Sequence, residues 1–344
     1  MKISDFHIEG LHIRKRGMVI NMDKIRDILN NSKKIAIAGH VRPDGDCIGS
    51  STALYQYLSL YKKELGIEQV DIYLEPYGDQ FQLLSGLEGI KCSCAGNEVY
   101  DMFIALDCGS KDRLGVVSEI FDLAKTTVNI DHHISNTMFA TINHVAEASS
   151  TSEIIYTLID DDKITKEIAT SLYVGIIHDT GVFKHPNTTS RTMTIAGKLI
   201  DKGIDYSKLI NDTFYAKTYK QNLIIGRCLM ESILVLDGKV IVSSISQKMM
   251  DFYDVTTADL DGVVEKLRVT KGVEVAMFVY ETNPSEYKVS MRSTGKVNVS
   301  KIAVYFGGGG HVQAAGCTIH GRLNDAINNL TLHIEAQLKE INEV

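Results

Sequence analysis

Residues 34–46 read Lys-Ile-Ala-Ile-Ala-Gly-His-Val-Arg-Pro-Asp-Gly-Asp, an apolar run that passes through Gly-His into an acidic loop. The run Lys34 to Ala38 has the length and composition of a buried strand. Further β-rich runs follow at Val70 to Leu74, Met102 to Leu106 and Thr127 to Ile130, and helical patterns such as Ile48 to Tyr61 separate them. This alternation predicts βαβ units around a parallel sheet.

Polar side chains follow three of these predicted strands. The clusters are His40, Asp44 and Asp46 after the first strand, Asp107 after the third, and Asp131, His132 and His133 after the fourth. A helix-like run, Ser171 to Ile177, ends in His178 and Asp179. Because ligands of parallel sheets bind outside the carboxyl ends of the strands, we expect these side chains to converge on one rim.

Four of these acids and two of the histidines are a donor set for divalent cations. Carboxylates with an imidazole suit Mn²⁺ or Mg²⁺, and two cations about 3.5–4 Å apart need one bridging carboxylate. Each acid alone has a simpler interpretation. Asp46 could be the N-cap of the next helix, Asp107 a turn residue and Asp179 a helix C-terminal residue, although the helix dipole disfavours an acid at that end.

The C-terminal third has a different pattern, beginning with a hairpin that turns at Asp237-Gly238. The further predicted elements are a helix near Asp259 to Val269, strands at Val273 to Tyr280 and Tyr287 to Arg292, and a helix from Asp325 to about Glu340. Together they predict a second, mixed α/β domain.

A run of four glycines in this part, Gly307, Gly308, Gly309 and Gly310, precedes His311. No Lys-Ser/Thr follows, so the run is not a Walker A loop. It is either a flexible turn or backbone that lies close to a phosphate or carboxylate. Arg292 and Ser293, at a predicted strand end, offer a fork of donors for a phosphate. We therefore predict that the second domain binds substrate.

Length and composition set the broad class. The 344 residues suit two domains, for which we expect a ragged extension at 1–22, a sheet domain at 23–200, a helical connector at 201–230 and a second domain at 231–344. A net charge of -7 disfavours wrapping of long nucleic acid. Without a membrane span or signal-peptide pattern, the chain is predicted to be soluble and cytoplasmic, with its six cysteines reduced.

In order and separation, these motifs resemble the DHH/DHHA1 phosphoesterase superfamily from Lys34 to about Leu338. The motifs that carry the resemblance are His40-x-x-x-Asp44-x-Asp46, Asp107, Asp131-His132-His133, Asp179 and the glycine run with His311. The chain length and Arg292-Ser293 are most similar to the bifunctional oligoribonuclease and pAp phosphatase (nanoRNase) group. The resemblance implies a parallel-sheet DHH domain and a smaller mixed DHHA1 domain, joined by a helical connector.

The resemblance also implies a role for each site residue. One Mn²⁺ would be held by His40, Asp44 and Asp107, and the other by Asp46, Asp107, His132 and Asp179, with Mg²⁺ or Co²⁺ as alternatives. Asp107 would bridge the two cations and Asp131 would orient a ligand, while His133 would contact the scissile phosphate. Substrate would be gripped by Arg292, Ser293, His311 and residues 307–310, with Arg113 as a further candidate.

The function that follows is metal-dependent hydrolysis of short oligoribonucleotides, and of pAp to AMP and phosphate, by in-line attack of water. Neither long duplexes nor membranes are expected partners, and a homodimer is left open. Alternatives on the same scaffold are a linear dinucleotide (pApA-type) hydrolase, a polyphosphatase, and a RecJ-type exonuclease, for whose usual extra nucleic-acid-binding module the chain has no room. A non-enzymatic nucleotide sensor would show gaps in the ligand set, and none is visible.

Overall fold

The structure is a computed structural model that describes residues 18–19, 24–29, 31–93 and 98–342. Most of the predicted extension at 1–22 therefore lies outside the described residues, as does Cys94. The chain divides into two compact units, Met1–Ala216 and Lys217–Val344. This division falls within the segment 201–230, and the three boundaries between the four expected segments remain a prediction.

A parallel sheet organises the first unit. Its strands, within the described residues, are β1 (Met18–Val19), β2 (Lys34–Ala38), β3 (Gln69–Tyr73), β4 (Ile90–Lys91), β5 (Met102–Leu106), β6 (Thr126–Asp131) and β7 (Ile142–Val145). They lie in the order β1-β7-β6-β5-β2-β3-β4, and every pairing is parallel. The α/β class is thus confirmed.

Helices cover this sheet because its strands are apolar on both faces. They are α1 (Ile25–Leu29), α2 (Gly45–Leu60), α3 (Lys62–Leu65), α4 (Ser118–Leu123), α5 (Thr151–Leu158), α6 (Lys166–Asp179), α7 (Ser190–Asp201) and α8 (Tyr206–Leu209). In β2, Ile35 and Ile37 enter one hydrophobic core, whereas Ala36 and Ala38 enter another. The strand order reverses between β2 and β5, which is where ligands of open α/β sheets bind.

The predicted elements of this unit agree closely with the structure. Strands β2 and β5 have the expected bounds, and β3 is shifted by one residue. Strand β6 is longer than predicted by one residue at each end, so Asp131 is its last residue instead of following it. Helix α2 begins at Gly45, earlier than expected.

The second unit contains a mixed sheet. Its elements are α9 (Tyr219–Met230), β8 (Ile233–Val235), β9 (Val240–Ile245), α10 (Gln247–Tyr253), α11 (Val263–Arg268), β10 (Val275–Asn283), β11 (Glu286–Ser293), α12 (Val299–Tyr305), β12 (Gly309–His311), β13 (Ala314–His320) and α13 (Leu323–Asn342). The strand order is β12-β13-β11-β10-β9-β8, and only β9 and β10 pair in parallel among these described strands. The predicted hairpin is confirmed by the antiparallel pairing of β8 with β9.

None of the helices in the described ranges combines the length and the hydropathy that crossing a bilayer would require.

Candidate metal centre

The loop after β2 brings the first acids to the carboxyl end of the sheet. Asp44 is the N-cap of α2, and its carboxylate accepts the N–H groups of Asp46 and Cys47. The simpler interpretation of Asp46 as this N-cap is therefore wrong, because the helix begins one residue before Asp46. Asp46 instead lies in the first turn of α2, fully buried.

A second helix end holds the Asp46 carboxylate. Its Oδ2 accepts the N–H of Thr151 at 2.6 Å and its Oδ1 accepts the N–H of Ser152 at 2.9 Å, at the start of α5. Burial is the largest influence on its pKa and raises it well above the usual range, and the nearby charges of Asp107 and Asp179 raise it further. The N-terminus of α5 thus compensates only part of the cost of burying this group.

Asp107 lies immediately after β5, at the centre of the cluster of predicted ligands. The other members of this cluster are His40, Asp44, Asp46, His132 and Asp179. Its backbone is in the left-handed region, with φ 54°, a conformation that costs free energy and is concentrated at functional sites. Its Oδ2 lies 3.5 Å from Nε2 of His40, and its Oδ1 lies 3.5 Å from Nε2 of His132. The two carboxylate oxygens are therefore directed at different histidines, as a bridging ligand requires.

His40 presents Nε2 to the acids. Its Nδ1 lies 2.9 Å from the carbonyl oxygen of Val41, which can accept the Nδ1 proton and leave Nε2 free to bind a cation. Burial lowers the pKa of His40, but hydrogen bonds to Asp107 and Asp44 outweigh it and leave the pKa raised. Asp44 is shifted the other way: burial raises its pKa, but the interaction with His40 prevails and lowers it to about 2.

Arg113, predicted to contact substrate, lies in this part of the site. Its Nη2 is 3.1 Å from Nδ1 of His40, and its backbone carbonyl accepts the N–H of Val41. The structure thus places Arg113 beside the His40 imidazole, and a role in substrate binding remains a prediction.

His132 and Asp179 form the opposite side of the cluster. Asp179 is the last residue of α6, and its Oδ2 is 3.0 Å from Nε2 of His132. Burial disfavours the imidazolium of His132, but the hydrogen bond to Asp179 and the charges of Asp46 and Asp107 raise its pKa to about 10. Burial also raises the pKa of Asp179. The neighbouring acids therefore favour the protonated form of His132.

The His133 ring lies beside that of His132, with ring centroids 4.7 Å apart, and has its own carboxylate partner. Its Nδ1 lies 2.7 Å from Oδ1 of Asp131, a fully buried residue at the end of β6. The other carboxylate oxygen of Asp131, Oδ2, accepts a hydrogen bond from Nδ2 of Asn136 at 2.5 Å. Burial would raise the Asp131 pKa, but these bonds lower it. His133 keeps 39% of its side chain exposed. Asp131 therefore orients an imidazole whose other nitrogen is available to a ligand.

Five of the six predicted metal ligands, all except Asp44, lie in groups of residues that are close enough to hold a metal ion. Within the described residues, potential ligand atoms lie within 4.8 Å of one another in three groups, which are His40-Cys47-Asp107, Asp107-His132-His133 and Asp46-His132-Asp179. Asp107 belongs to two groups, and so does His132. The raised pKa values of Asp46 and Asp179 have the physical cause expected of a cation site, namely buried like charges that protein cations compensate incompletely.

Cys47 was not predicted at this site. Its Sγ accepts the N–H of His40 at 3.2 Å, and burial raises the pKa of its thiol to about 11. Burial thus favours the protonated thiol, and Cys47 lies beside His40 and Asp107, although the predicted donors are oxygen and nitrogen atoms. The cysteines among the described residues, Cys47, Cys92, Cys108, Cys228 and Cys317, are free, as expected.

Thr151 and Gly175 were also missed. Thr151 contacts two of the acids, and a Cβ on Gly175 would lie 1.9 Å from Oγ of Ser152 and 2.6 Å from Oδ1 of Asp46, so α6 can approach only through a glycine. The pattern Ser150-x-x-Glu153 is a helix-start signal that could have located α5. Nothing local connects that signal to Asp46.

In the second unit, the predicted phosphate fork is engaged in protein contacts. Nε of Arg292 lies 2.8 Å from Oε1 of Glu265, and its Nη1 donates to the carbonyl of Met291. Ser293 is buried, and its Oγ accepts the N–H of Gly295. A substrate phosphate would have to compete with Glu265 for Arg292, whereas the Ser293 hydroxyl accepts from Gly295 without using its own proton.

Close packing explains two of the four glycines in the run. A Cβ on Gly308 would lie 2.1 Å from the carbonyl oxygen of Gly316, and one on Gly310 would lie 2.5 Å from that of Ala314, so both are needed for the approach of β13. Gly307 has φ 75°, whereas Gly309 has open space around it. His311 is exposed and, with Gly310, lines a cavity of about 450 Å³; its other lining residues are Asn298, Ser300, Lys301, Val304 and Val312.

Comparison with known proteins identifies two family domains in this chain. Residues 34–176 match the DHH family, N-terminal domain, and residues 237–340 match the DHHA1 domain. The bifunctional oligoribonuclease and PAP phosphatase NrnA of Thermus thermophilus is 31% identical over 83% of this chain and 84% of the relative. The protein of the same description from Bacillus subtilis is 26% identical over 89% of this chain and 95% of the relative.

A solved structure extends the likeness to the fold of most of the chain. The exopolyphosphatase-related protein from Bacteroides fragilis has a TM-score of 0.81 at 26% identity, and the match covers 90% of this chain and 94% of that one. The chain therefore belongs to the DHH/DHHA1 phosphoesterases, in the group of the bifunctional oligoribonucleases and PAP phosphatases, and is a hydrolase of phosphoester bonds.

Proposed function

We propose that this protein hydrolyses short oligoribonucleotides, and pAp to AMP and phosphate, with two divalent cations that are most simply Mn²⁺. The observation that carries the proposal is the position of Asp107, whose two carboxylate oxygens are directed at His40 and His132. The names of the relatives from Thermus thermophilus and Bacillus subtilis supply the substrates.

The residues that would hold the cations divide into two sets that share Asp107. His40, Asp44 and Asp107 would form one site, and Asp46, Asp107, His132 and Asp179 the other. When bound, two cations would lower the pKa of a water molecule and neutralise charge on the phosphoryl oxygens. Mg²⁺ and Co²⁺ accept the same oxygen and nitrogen donors.

The protein's own groups would orient the substrate. Asp131 fixes the His133 ring through Nδ1, so that Nε2 can donate to a phosphoryl oxygen. In the second unit, exposed His311 and the open backbone at Gly309 would contact a distal phosphate or base. Arg292 would do so on release from Glu265. Replacing Arg292 or His311 should therefore lower substrate affinity and leave the rate of the chemical step largely unchanged.

A second candidate is hydrolysis of polyphosphate. It is favoured by the description of the Bacteroides fragilis protein as exopolyphosphatase-related, at 26% identity over most of both chains. The donor set is equally suited to a phosphoanhydride, because both reactions displace a leaving oxygen from phosphorus.

A substrate series separates these possibilities. The purified protein is incubated with Mn²⁺ and RNAs of two to about twenty-four nucleotides, with pAp, a linear dinucleotide such as pApA and polyphosphate alongside and a chelator as control. Rapid cleavage of the shortest RNAs together with pAp is expected. Equal rates at all RNA lengths would instead indicate an exonuclease, and exclusive turnover of polyphosphate would establish the second candidate.

A further inference from the structure

Thr151, the first residue of α5, contacts two of the predicted metal ligands. Its N–H donates to Oδ2 of Asp46 at 2.6 Å, and its hydroxyl donates to Oδ1 of Asp107 at 3.0 Å. The residue is fully buried. Asp46 lies in α2 and is a predicted ligand of one cation site, whereas Asp107 follows β5 and is a predicted ligand of both, so a single threonine links the predicted bridging acid to a second ligand.

We propose that Thr151 is a positioning residue that fixes these two carboxylates relative to each other and thereby sets the affinity of the cluster for divalent cations. The inference rests on the proposed function only in that the cluster binds cations, and it is independent of the substrate. Thr151 is not itself a ligand in either predicted set.

The hydroxyl acts by restricting rotation of the Asp107 carboxylate. Rotation about the terminal torsion of an aspartate has broad minima, so the bonds that the oxygens form decide its orientation. Oδ1 receives the Thr151 hydroxyl on one side and faces Nε2 of His132, while Oδ2 faces His40. Without the hydroxyl, the carboxylate could turn away from the orientation in which its two oxygens face His132 and His40.

The start of α5 is rigid enough for this role. Ser150 caps the helix by accepting the N–H of Glu153, and the fully buried Glu153 carboxylate accepts hydrogen bonds from Oγ of Ser149 at 2.5 Å and Oγ1 of Thr192 at 2.8 Å. Arg191 also donates to this carboxylate at 2.5 Å. Because Arg191 and Thr192 belong to α7, two elements hold Thr151 in place.

The test measures Mn²⁺ binding to the full-length, chelator-treated protein by titration calorimetry. Thr151→Val removes the hydroxyl at nearly constant shape and should weaken binding by about 10–100-fold, as for other residues that orient metal ligands. Thr157→Val is the matched control in the same helix, because the Thr157 hydroxyl donates only to the carbonyl of Ile154, away from the acids. It should bind Mn²⁺ like the unaltered protein.

Thr151→Ser and Thr151→Ala form a second pair that differs only in the hydroxyl. The serine variant should retain binding and the alanine variant should lose it, which tests the inference even if valine prevents folding. Equal Mn²⁺ affinities within this pair, with both proteins folded by circular dichroism, would overturn the inference. Tight Mn²⁺ binding without hydrolysis of RNA or pAp would refute the proposed function and leave the role of Thr151 intact.

Discussion

Gly175 allows a direct test of how close packing positions the predicted metal ligand Asp46. It lies inside α6, and an added Cβ would be 1.9 Å from Oγ of Ser152 and 2.6 Å from Oδ1 of Asp46. Neither neighbour can move away easily, because both are fully buried and the Asp46 carboxylate is held by two backbone N–H groups. Gly175→Ala should therefore overpack the site by about 1–3 kcal/mol.

The matched control is Gly197→Ala. Gly197 lies inside α7, is exposed, and has nothing within 4 Å of an added Cβ. Replacing a helical glycine by alanine stabilises the helix by about 0.5–1 kcal/mol in both variants. This gain cancels in a comparison of the two, so the difference between their free energies of unfolding is the overpacking cost of about 1–3 kcal/mol.

The assay is urea unfolding in the presence of a chelator, followed by far-ultraviolet circular dichroism because the chain contains no tryptophan. Gly197→Ala should unfold at a higher urea concentration than the unaltered protein, and Gly175→Ala at a lower one than Gly197→Ala. Displacement of Asp46 should also weaken Mn²⁺ binding by about tenfold or more. Equal stability and equal Mn²⁺ affinity of the two variants would refute the account of Gly175.

Three further outcomes follow from the same contacts. Asp107→Ala should leave less than about a hundredth of the kcat while the circular dichroism spectrum is unchanged, and greater residual activity would contradict a bridging role. The pKa of His132 rises from 6.5 to about 10, so its stabilising effect is complete below pH 6.5 and is lost as the pH passes 10. The raised pKa values of Asp46 and Asp179 also lower stability as the pH rises, from their usual value of 3.8 upward. Urea unfolding of chelator-treated protein should therefore show stability falling between pH 6.5 and about pH 10. Arg292→Ala and His311→Ala should raise KM for pAp with little change in kcat, and an unchanged KM would count against the second-unit assignment.

Sequence reasoning was most successful where local pattern and burial coincide. The run Lys34 to Ala38 is buried on both faces, so its composition alone predicts β2. Strand β7 was missed because it has only four residues, two of which, Asn143 and His144, are polar yet buried. The buried Asn143 side chain bonds the backbone of Ala140, a contact that periodicity does not encode.

The convergence of most of the predicted ligands could be foreseen from the sequence because the topology of a parallel sheet brings strand ends together, whatever the distance along the chain. The groups that hold those ligands could not. The carboxylate of Asp46 is bound by an N–H that lies 105 residues further along, and Thr151 is an unremarkable helix-start residue by its local sequence. A pattern of residue types identifies donors to a cation, but it contains no information on what orients them.

The electrostatics of the cluster explain why orienting groups are needed. Asp46 is fully buried and Asp179 is partly buried, and burial together with the neighbouring charge of Asp107 raises the pKa of both carboxyls. The fold supplies part of the compensating positive charge through the N-terminus of α5 and through His132. Because this compensation is incomplete, α5, α6 and the strained turn at Asp107 are needed to hold the acids together. Divalent cations would supply the remaining positive charge. Holding these acids close together costs free energy when no cation is bound. The same fixed arrangement would make the acids a selective site for divalent cations.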